Sequence, residues 1–544
     1  MRVGEESGHT NAPVAGVRSF LRDALIWCVP SLAAGLLVRA LLLAYRPYAY
    51  WSDDSISYGA FARSVLEEGE WSMDPKRRWL YPVWVLATRL LPGPDLVWLG
   101  WLQQALGLAA LIGLACAIRA SLAHWRPILP VLTLWLALHP APLHYGSTVL
   151  AESLLLPCIL LALGAWALWV SGDRWAGPAG WAFVATFAAF LLLKPSSRFA
   201  LPGAAVALWM VSRRARLRPL QWAALVPCLL LLGPMGSREM GKWLMLTSSF
   251  PLVRIDTGRL APLKQEIADL VTRARQSIDS YYIMDRELGV KEFLGDPSKQ
   301  ETRPEWRELG EKANREKRLG AYGALAIEGI LARPDLMAFI ALQRAVVAFS
   351  QNEPLAQLRA DFMPTKIRGE DFARNLEPKW LRQTRGLFGL PASGPPPTQD
   401  SLCARVSRAG RGWAADAVCA VVTPVLDWSR LFGPPDGMDR RLSVWDFRPT
   451  PTGWLVLMGG VLSLALPRYR AVAGAWALIA ASYIAGVYAV GSGHPRFYLP
   501  ALPMVVLAAG VTVDAAITAM ALAWRGRRRG TRPDASGANG GFGP

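Results

Sequence analysis

The sequence predicts an all-α, polytopic membrane protein of about ten transmembrane helices, with a mainly helical extracytoplasmic domain inserted between spans seven and eight. Three observations carry this. Of 544 residues, 52% are hydrophobic and only 18% charged, and 24 are Trp; the mean hydropathy is positive, at +0.23. That is the balance of a chain whose solvent is partly lipid. The apolar residues fall into runs of roughly span length, too many for a soluble core. The Lys and Arg gather in short tracts beside those runs, where they bias orientation in a bilayer. The net charge of +18 therefore follows membrane topology and excludes a nucleic-acid partner, since no groove-reading motif accompanies it.

In chain order, residues 1–19 are polar and read as a loose cytoplasmic tail. No cleavable signal pattern follows, and the first apolar segment is long enough to stay as an anchor. Apolar length places spans near 21–44, 95–118, 127–143, 148–170, 178–193, 198–212, 220–236, 452–467, 471–490 and 498–523. The basic tracts Arg119 with Arg126, Arg174, Arg213 to Arg218, Arg468 to Arg470 and Arg525 to Arg529 then share one side, the cytoplasm, with both termini. The chain divides into a seven-span module, 1–236, with an external loop at 45–79; an extracytoplasmic soluble or interfacial domain, 237–450; a three-span module, 451–524; and a disordered cytoplasmic tail, 525–544. Residues 335–350 are apolar but short and carry Arg344, which suits an interfacial helix.

The first external loop holds Tyr50-Trp51-Ser52-Asp53-Asp54-Ser55. Behind it, Tyr58, Phe61, Ala62, Val65 and Leu66 recur at the spacing of an amphipathic helix lying along an interface, with Asp54 or Ser55 placed to cap it. The same parity puts His144, Glu152, Lys194, Arg198, His494 and Arg496 on the outer side. Carboxylates there face bases contributed by distant loops. A carboxylate can take a proton from a hydroxyl, while Lys and Arg hold a phosphate and stabilise the charge that develops as it leaves. That division of labour suits transfer of a sugar from a lipid phosphate to an alcohol. Plainer readings stand beside it: Asp53 or Asp54 as a helix cap, Glu152 as the partner of an Arg, and Lys194 and Arg198 as snorkelling residues.

The run Asp54-Ser55-Ile56-Ser57-Tyr58, continued by Ala62, Leu66 and Gly69, resembles the first-loop motif of the GT-C glycosyltransferases. Within these it is most similar to the dolichyl-phosphate-mannose protein mannosyltransferase and lipid A aminoarabinose transferase group. Thr148 to Ser153, Leu193-Lys194-Pro195 and His494 to Pro500 with Pro503 extend the likeness over the first seven spans and the last one. The middle domain matches nothing in that pattern. The resemblance implies a glycosyltransferase that acts with inversion on a polyprenyl-phosphate sugar donor. It makes Asp54 the base, with Asp53 as the alternative because many relatives have Asp-Glu where this chain has Asp54-Ser55. Glu152 becomes the second acidic position and Lys194 the phosphate contact; Arg198 and Arg496, cations on the same side, are further candidates for binding the donor phosphate. His144, His494 and Tyr58 are candidates for substrate or metal contact.

The expected partners are the donor, a glycan, lipid or protein acceptor, and membrane lipids. No cofactor is specified; the outer carboxylates and histidines are compatible with a divalent metal ion. Cys28, Cys116, Cys158 and Cys228 fall within spans as packing residues, while Cys403 and Cys419 share the external domain and a compartment in which they can pair. A lipid-carrier transporter or flippase and a non-catalytic scaffold of envelope polysaccharide assembly are the competing functions. Neither internal repeats nor mid-span charges are evident to favour the first of these.

Overall fold

A computed structural model of the chain describes residues 28–40, 55–72, 77–92, 95–122, 128–171, 176–211, 319–335, 451–490 and 499–530, with single positions between them. These residues are mainly helical, and no β-strand occurs among them. Five of the helices are long and apolar enough to cross a membrane, and three shorter apolar helices accompany them. The expected span at 220–236, nearly all of the inserted domain, Cys228, Cys403 and Cys419 lie outside the described residues.

The chain enters with α1 (Cys28–Ala40), α2 (Ser55–Arg63), α3 (Leu80–Arg89) and α4 (Asp95–Ser121). Next come α5 (Leu129–Leu138), α6 (Pro140–Tyr145), α7 (Glu152–Ser171) and α8 (Ala176–Leu193). A 3₁₀ turn at Pro195–Ala200 leads into α9 (Leu201–Val211). Within the insert, α10 (Leu319–Ala332) is described; Glu328 on it pairs with Lys264. The C-terminal part holds α11 (Pro451–Ala465), α12 (Ala475–Val490), which is preceded by a π turn at Arg470–Gly474, and α13 (Leu502–Gly530).

The centre of the bundle is α7. Of its most apolar window 78% is buried, against 44–56% for the other four long helices. Side chains cover it on all sides, so its sequence shows no polar face: Leu, Ala and Trp follow Glu152 with almost no interruption. It meets α4 closely because small residues face each other. A Cβ added at Gly164 would sit 3.0 Å from the Ala117 Cβ, and one at Gly113 would sit 3.3 Å from Leu161. In lipid, where apolar burial gives helices no reason to associate, such close backbone approach supplies the dispersion contacts that do. Toward the C-terminal end of α7, Trp166 packs edge-on to Phe183 of α8 and Trp476 of α12, at ring distances of 5.1 and 6.1 Å. Its indole N–H donates to the Ala471 carbonyl at 3.0 Å. A buried indole thereby satisfies its one polar atom.

Several boundaries differ from the apolar-length reading, each for a local reason. The expected span 127–143 is two helices, because Pro140 disfavours helical geometry at the residue before it and His139 is extended, at φ −60°, ψ 127°. Leu466 is extended ahead of Pro467 in the same way. The amphipathic helix after Asp54 runs as expected through Arg63, with Tyr58, Phe61 and Ala62 buried. It then widens into a π turn over Ser64–Glu68, so Leu66 rotates out and is 42% exposed. The buried face packs on protein: Tyr58 stands edge-on to Tyr81 of α3 at 4.9 Å. Ser55 is the first residue of α2 and its hydroxyl donates to the Val149 carbonyl, 2.9 Å away; Asp54, the position before it, lies outside the described residues. Finally, α13 continues to Gly530, so the first residues assigned to a disordered tail are helical. Arg is a good helix former and its charge suits a helix C-terminus.

One close contact between helices is testable. A Cβ at Gly203 of α9 would lie 2.4 Å from the Leu478 carbonyl oxygen of α12. Gly203→Ala is expected to cost about 1–3 kcal/mol in thermal or denaturant unfolding. Gly460→Ala, where an added Cβ meets nothing within 4 Å, is expected to be neutral or to stabilise by up to about 1 kcal/mol.

Candidate functional site

At one end of the bundle the chain brings ionisable groups from four segments together. Glu152 is the first residue of α7 and is 2% exposed. The antiparallel return of α8 delivers Lys194 beside it, and the Lys194 ammonium donates to Glu152 Oε1 at 2.5 Å. Both side chains are largely buried, at 3% and 14% exposure. The helix N-terminus and the ammonium together stabilise negative charge at this point.

The turn that follows Lys194 supplies Arg198. Its Nε donates to the Pro195 carbonyl at 3.0 Å, which holds the guanidinium against the 3₁₀ turn. Arg198 Nη2 and Ser197 Oγ are buried without a hydrogen-bond partner among the described residues. Burial first, and the like charge of Arg78 second, push the Arg198 guanidinium down from its ordinary value. The 3₁₀ turn is fixed to α12: Ser482 donates to the Phe199 carbonyl at 2.6 Å, and Gly486 leaves room for the Phe199 ring.

The α2–α3 segment closes the site. Arg77 Nε donates to Ser57 Oγ at 2.6 Å and its guanidinium lies over the Tyr58 ring, 4.6 Å from the centroid, a cation–π contact. Tyr58 is thus engaged by a protein cation. Behind it, Tyr81 is fully buried, and burial pushes its hydroxyl far above the ordinary value, so it stays neutral. With the Gln103 amide oriented to satisfy both ends, its oxygen accepts from Tyr81 and Ser153, each at 2.9 Å. Its nitrogen donates to the Gly146 and Thr148 carbonyls at 3.2 and 3.1 Å. This network fastens α3 and α4 to the turn that precedes Glu152. At the far end of α3, Arg89 reaches Glu67 of the π turn at 3.7 Å.

Of the residues the sequence singled out, Glu152, Lys194, Arg198 and Tyr58 therefore meet around one end of α7. Asp53, Asp54, His494 and Arg496, and the side chain of His144, lie outside the described residues. The nearest described neighbour of Asp54 in the chain is Ser55, whose bond to Val149 anchors the start of α2 three residues before Glu152. Among the described residues, no group of three or more His, Cys, Asp or Glu side chains is close enough to hold a metal ion.

Sequence reasoning missed Arg77, Arg78, Tyr81 and Gln103. The first two carried a signal: Lys76-Arg77-Arg78 is a basic tract in a loop that the other charges place outside, against the usual bias. A second ionic group lies elsewhere, where Arg468 donates to Asp514 Oδ2 at 3.2 Å and Tyr469 donates to the same oxygen. It ties α13 to the segment before α12, which also carries Ala471, the partner of Trp166. Trp166 lies 14 residues along α7 from Glu152, or about 21 Å of helix rise. Comparison with protein-family models, with curated proteins and with solved structures found no match for this chain.

The buried pair predicts a double-mutant signature. Lys194→Met removes the ammonium from the buried Glu152 carboxylate and is expected to cost about 3–5 kcal/mol. Combining it with Glu152→Gln is expected to recover much of that loss, giving strong coupling in unfolding measurements on the four proteins of the cycle.

Proposed function

We propose that the protein is a multi-pass membrane glycosyltransferase. In this reading it moves a sugar from a polyprenyl-phosphate donor to an acceptor hydroxyl of a glycan, lipid or protein. The site faces the extracytoplasmic side of the inner membrane, and both termini are cytoplasmic. The observation that carries the reading is the convergence of Lys194, Arg198, Arg77 and Arg78 on the end of α7 where α2, the helix following Asp53 and Asp54, is anchored by Ser55.

The chemistry follows from that placement. Asp54, with Asp53 as the alternative, takes the proton of the acceptor hydroxyl. The alcohol oxygen attacks the anomeric carbon on the face opposite the lipid phosphate. The C–O bond to the phosphate breaks, and its electron pair leaves with the phosphate, which gains a negative charge as a diester becomes a monoester. Inversion results from the single displacement. Cations aimed at the phosphate lower the barrier because they interact more strongly with the departing group than with the donor. Lys194 is already neutralised by Glu152, so the guanidinium of Arg198, with a buried donor unspent, is the better placed to meet the new charge. Glu152 holds Lys194 in place. A divalent ion, if the reaction uses one, would be held by the outer carboxylates and histidines named above.

Purified protein in lipid nanodiscs, supplied with radiolabelled polyprenyl-phosphate sugars and candidate acceptors, tests this. Asp54→Asn is expected to lower transfer by about 10²–10⁴-fold, and Arg198→Gln to lower kcat by about 10²-fold, with thermal unfolding unchanged in the first variant. Full turnover in both Asp53→Asn and Asp54→Asn would sink the assignment of the base. Movement of the lipid across the bilayer without sugar transfer would identify a flippase instead.

A further inference from the structure

A small cavity lies beside Glu152. Its wall includes Arg39 of α1, Gln104 of α4, Tyr145 of α6, and Glu152, Ser153 and Pro157 of α7. Arg39 and Ser153 are 5% and 3% exposed. The space open to the centre of a water molecule is about 10 Å³, which by that measure is room for one water.

Two features of the wall bear on what fills the space. Arg39 Nη1 donates to the Gly35 and Ala137 carbonyls at 3.1 and 2.8 Å, but its Nε is buried with no hydrogen-bond partner among the described residues. A buried guanidinium in an apolar helix bundle is costly unless its donors are used. Pro157, also on the wall, stands inside α7. Having no N–H, it cannot supply the helical bond to the carbonyl of Ser153 four residues earlier. Arg39, with a donor that has no partner among the described residues, and Ser153 and Glu152 thus line the same small space.

We infer that the cavity holds a single buried water that accepts from Arg39 Nε and donates to the Ser153 carbonyl and the Glu152 carboxylate. A water satisfies both kinds of group at once. A chloride ion would accept from Arg39 but would be repelled by the two oxygens. The consequence concerns Glu152. It becomes an anionic hub, held by Lys194 directly and by Arg39 through the water, and so a positioning residue that links α1, α7 and the end of α8. The inference stands on the cavity and holds whatever reaction the protein catalyses.

Two measurements on the full chain in nanodiscs test it. Electron cryomicroscopy at a resolution that shows ordered waters is expected to find one density peak within hydrogen-bond distance of Arg39 Nε. An empty cavity, or Arg39 Nε bonded directly to a protein oxygen, overturns the proposal. X-ray hydroxyl-radical footprinting reads bound water independently, through labelling of buried neighbours. Tyr145, only 2% exposed but on the cavity wall, is expected to label several-fold faster than Phe190, which is equally buried elsewhere. Arg39→Met is expected to remove that excess. Pro157→Ala returns the helical N–H to Ser153, serves if the first variant fails to fold, and is expected to reduce the excess. Equal labelling of Tyr145 and Phe190 in the unsubstituted protein, or an excess untouched by either variant, overturns the proposal.

Discussion

The Lys194 ammonium and the Glu152 carboxylate meet where neither could stand alone. A charge carried into a helix bundle without a partner costs several kcal/mol even after the surroundings relax, so each residue makes the other's position tolerable. The geometry of the hairpin supplies the meeting: α7 begins with Glu152, and α8, returning antiparallel to it, ends one residue before Lys194. From this pair the neighbouring segments take their places. Pro195 starts the turn that carries Arg198, and the turn before Glu152 gives Val149 to Ser55 and Thr148 to Gln103. At the end of α7, α2, α3, α4, α8 and the 3₁₀ turn thereby depend on the same few side chains.

Apolar packing supports this arrangement without determining it. Along α4, α7 and α8 the contacts are between small residues and aromatic rings, as at Gly164 with Ala117 and at Trp166 with Phe183. Such contacts fix how closely helices approach and are tolerant of which residue provides them. Polar contacts are the selective ones in a medium that cannot replace a lost hydrogen bond. Tyr81 illustrates the point: its ring packs on Tyr58, but only its hydroxyl, through Gln103, specifies how α3 meets α4.

The long helices were legible in the sequence because an apolar run is a local property: α4, α7, α8 and α13 can be read from length and composition alone. Glu152 and Lys194 were legible too, since charged residues at the ends of apolar runs stand out. What escaped depends on contacts between distant segments or on a local change of helical period. The π turns at Ser64–Glu68 and Arg470–Gly474 leave no clear mark in apolar spacing. The division at His139 was signalled by Pro140 and was overridden by the weight given to apolar length. Arg39 sits in an apolar segment in plain view, yet its significance comes from Pro157 and Glu152, more than a hundred residues away, and no window of sequence contains all three.

The widened turn over Ser64–Glu68 has a consequence for the chain's tolerance of length change. A π turn holds about one residue more than a regular α turn, and this one ends α2, since Gly69 after it is left-handed, at φ 71°. Deleting a single residue there would let the turn close into regular α geometry while Tyr58 and Ser55, upstream of it, keep their contacts with Tyr81 and Val149. The surplus residue is therefore slack at the end of α2, and a shortening by one would fall on the reach of Glu67 toward Arg89 and spare the segment that leads back to the aspartates.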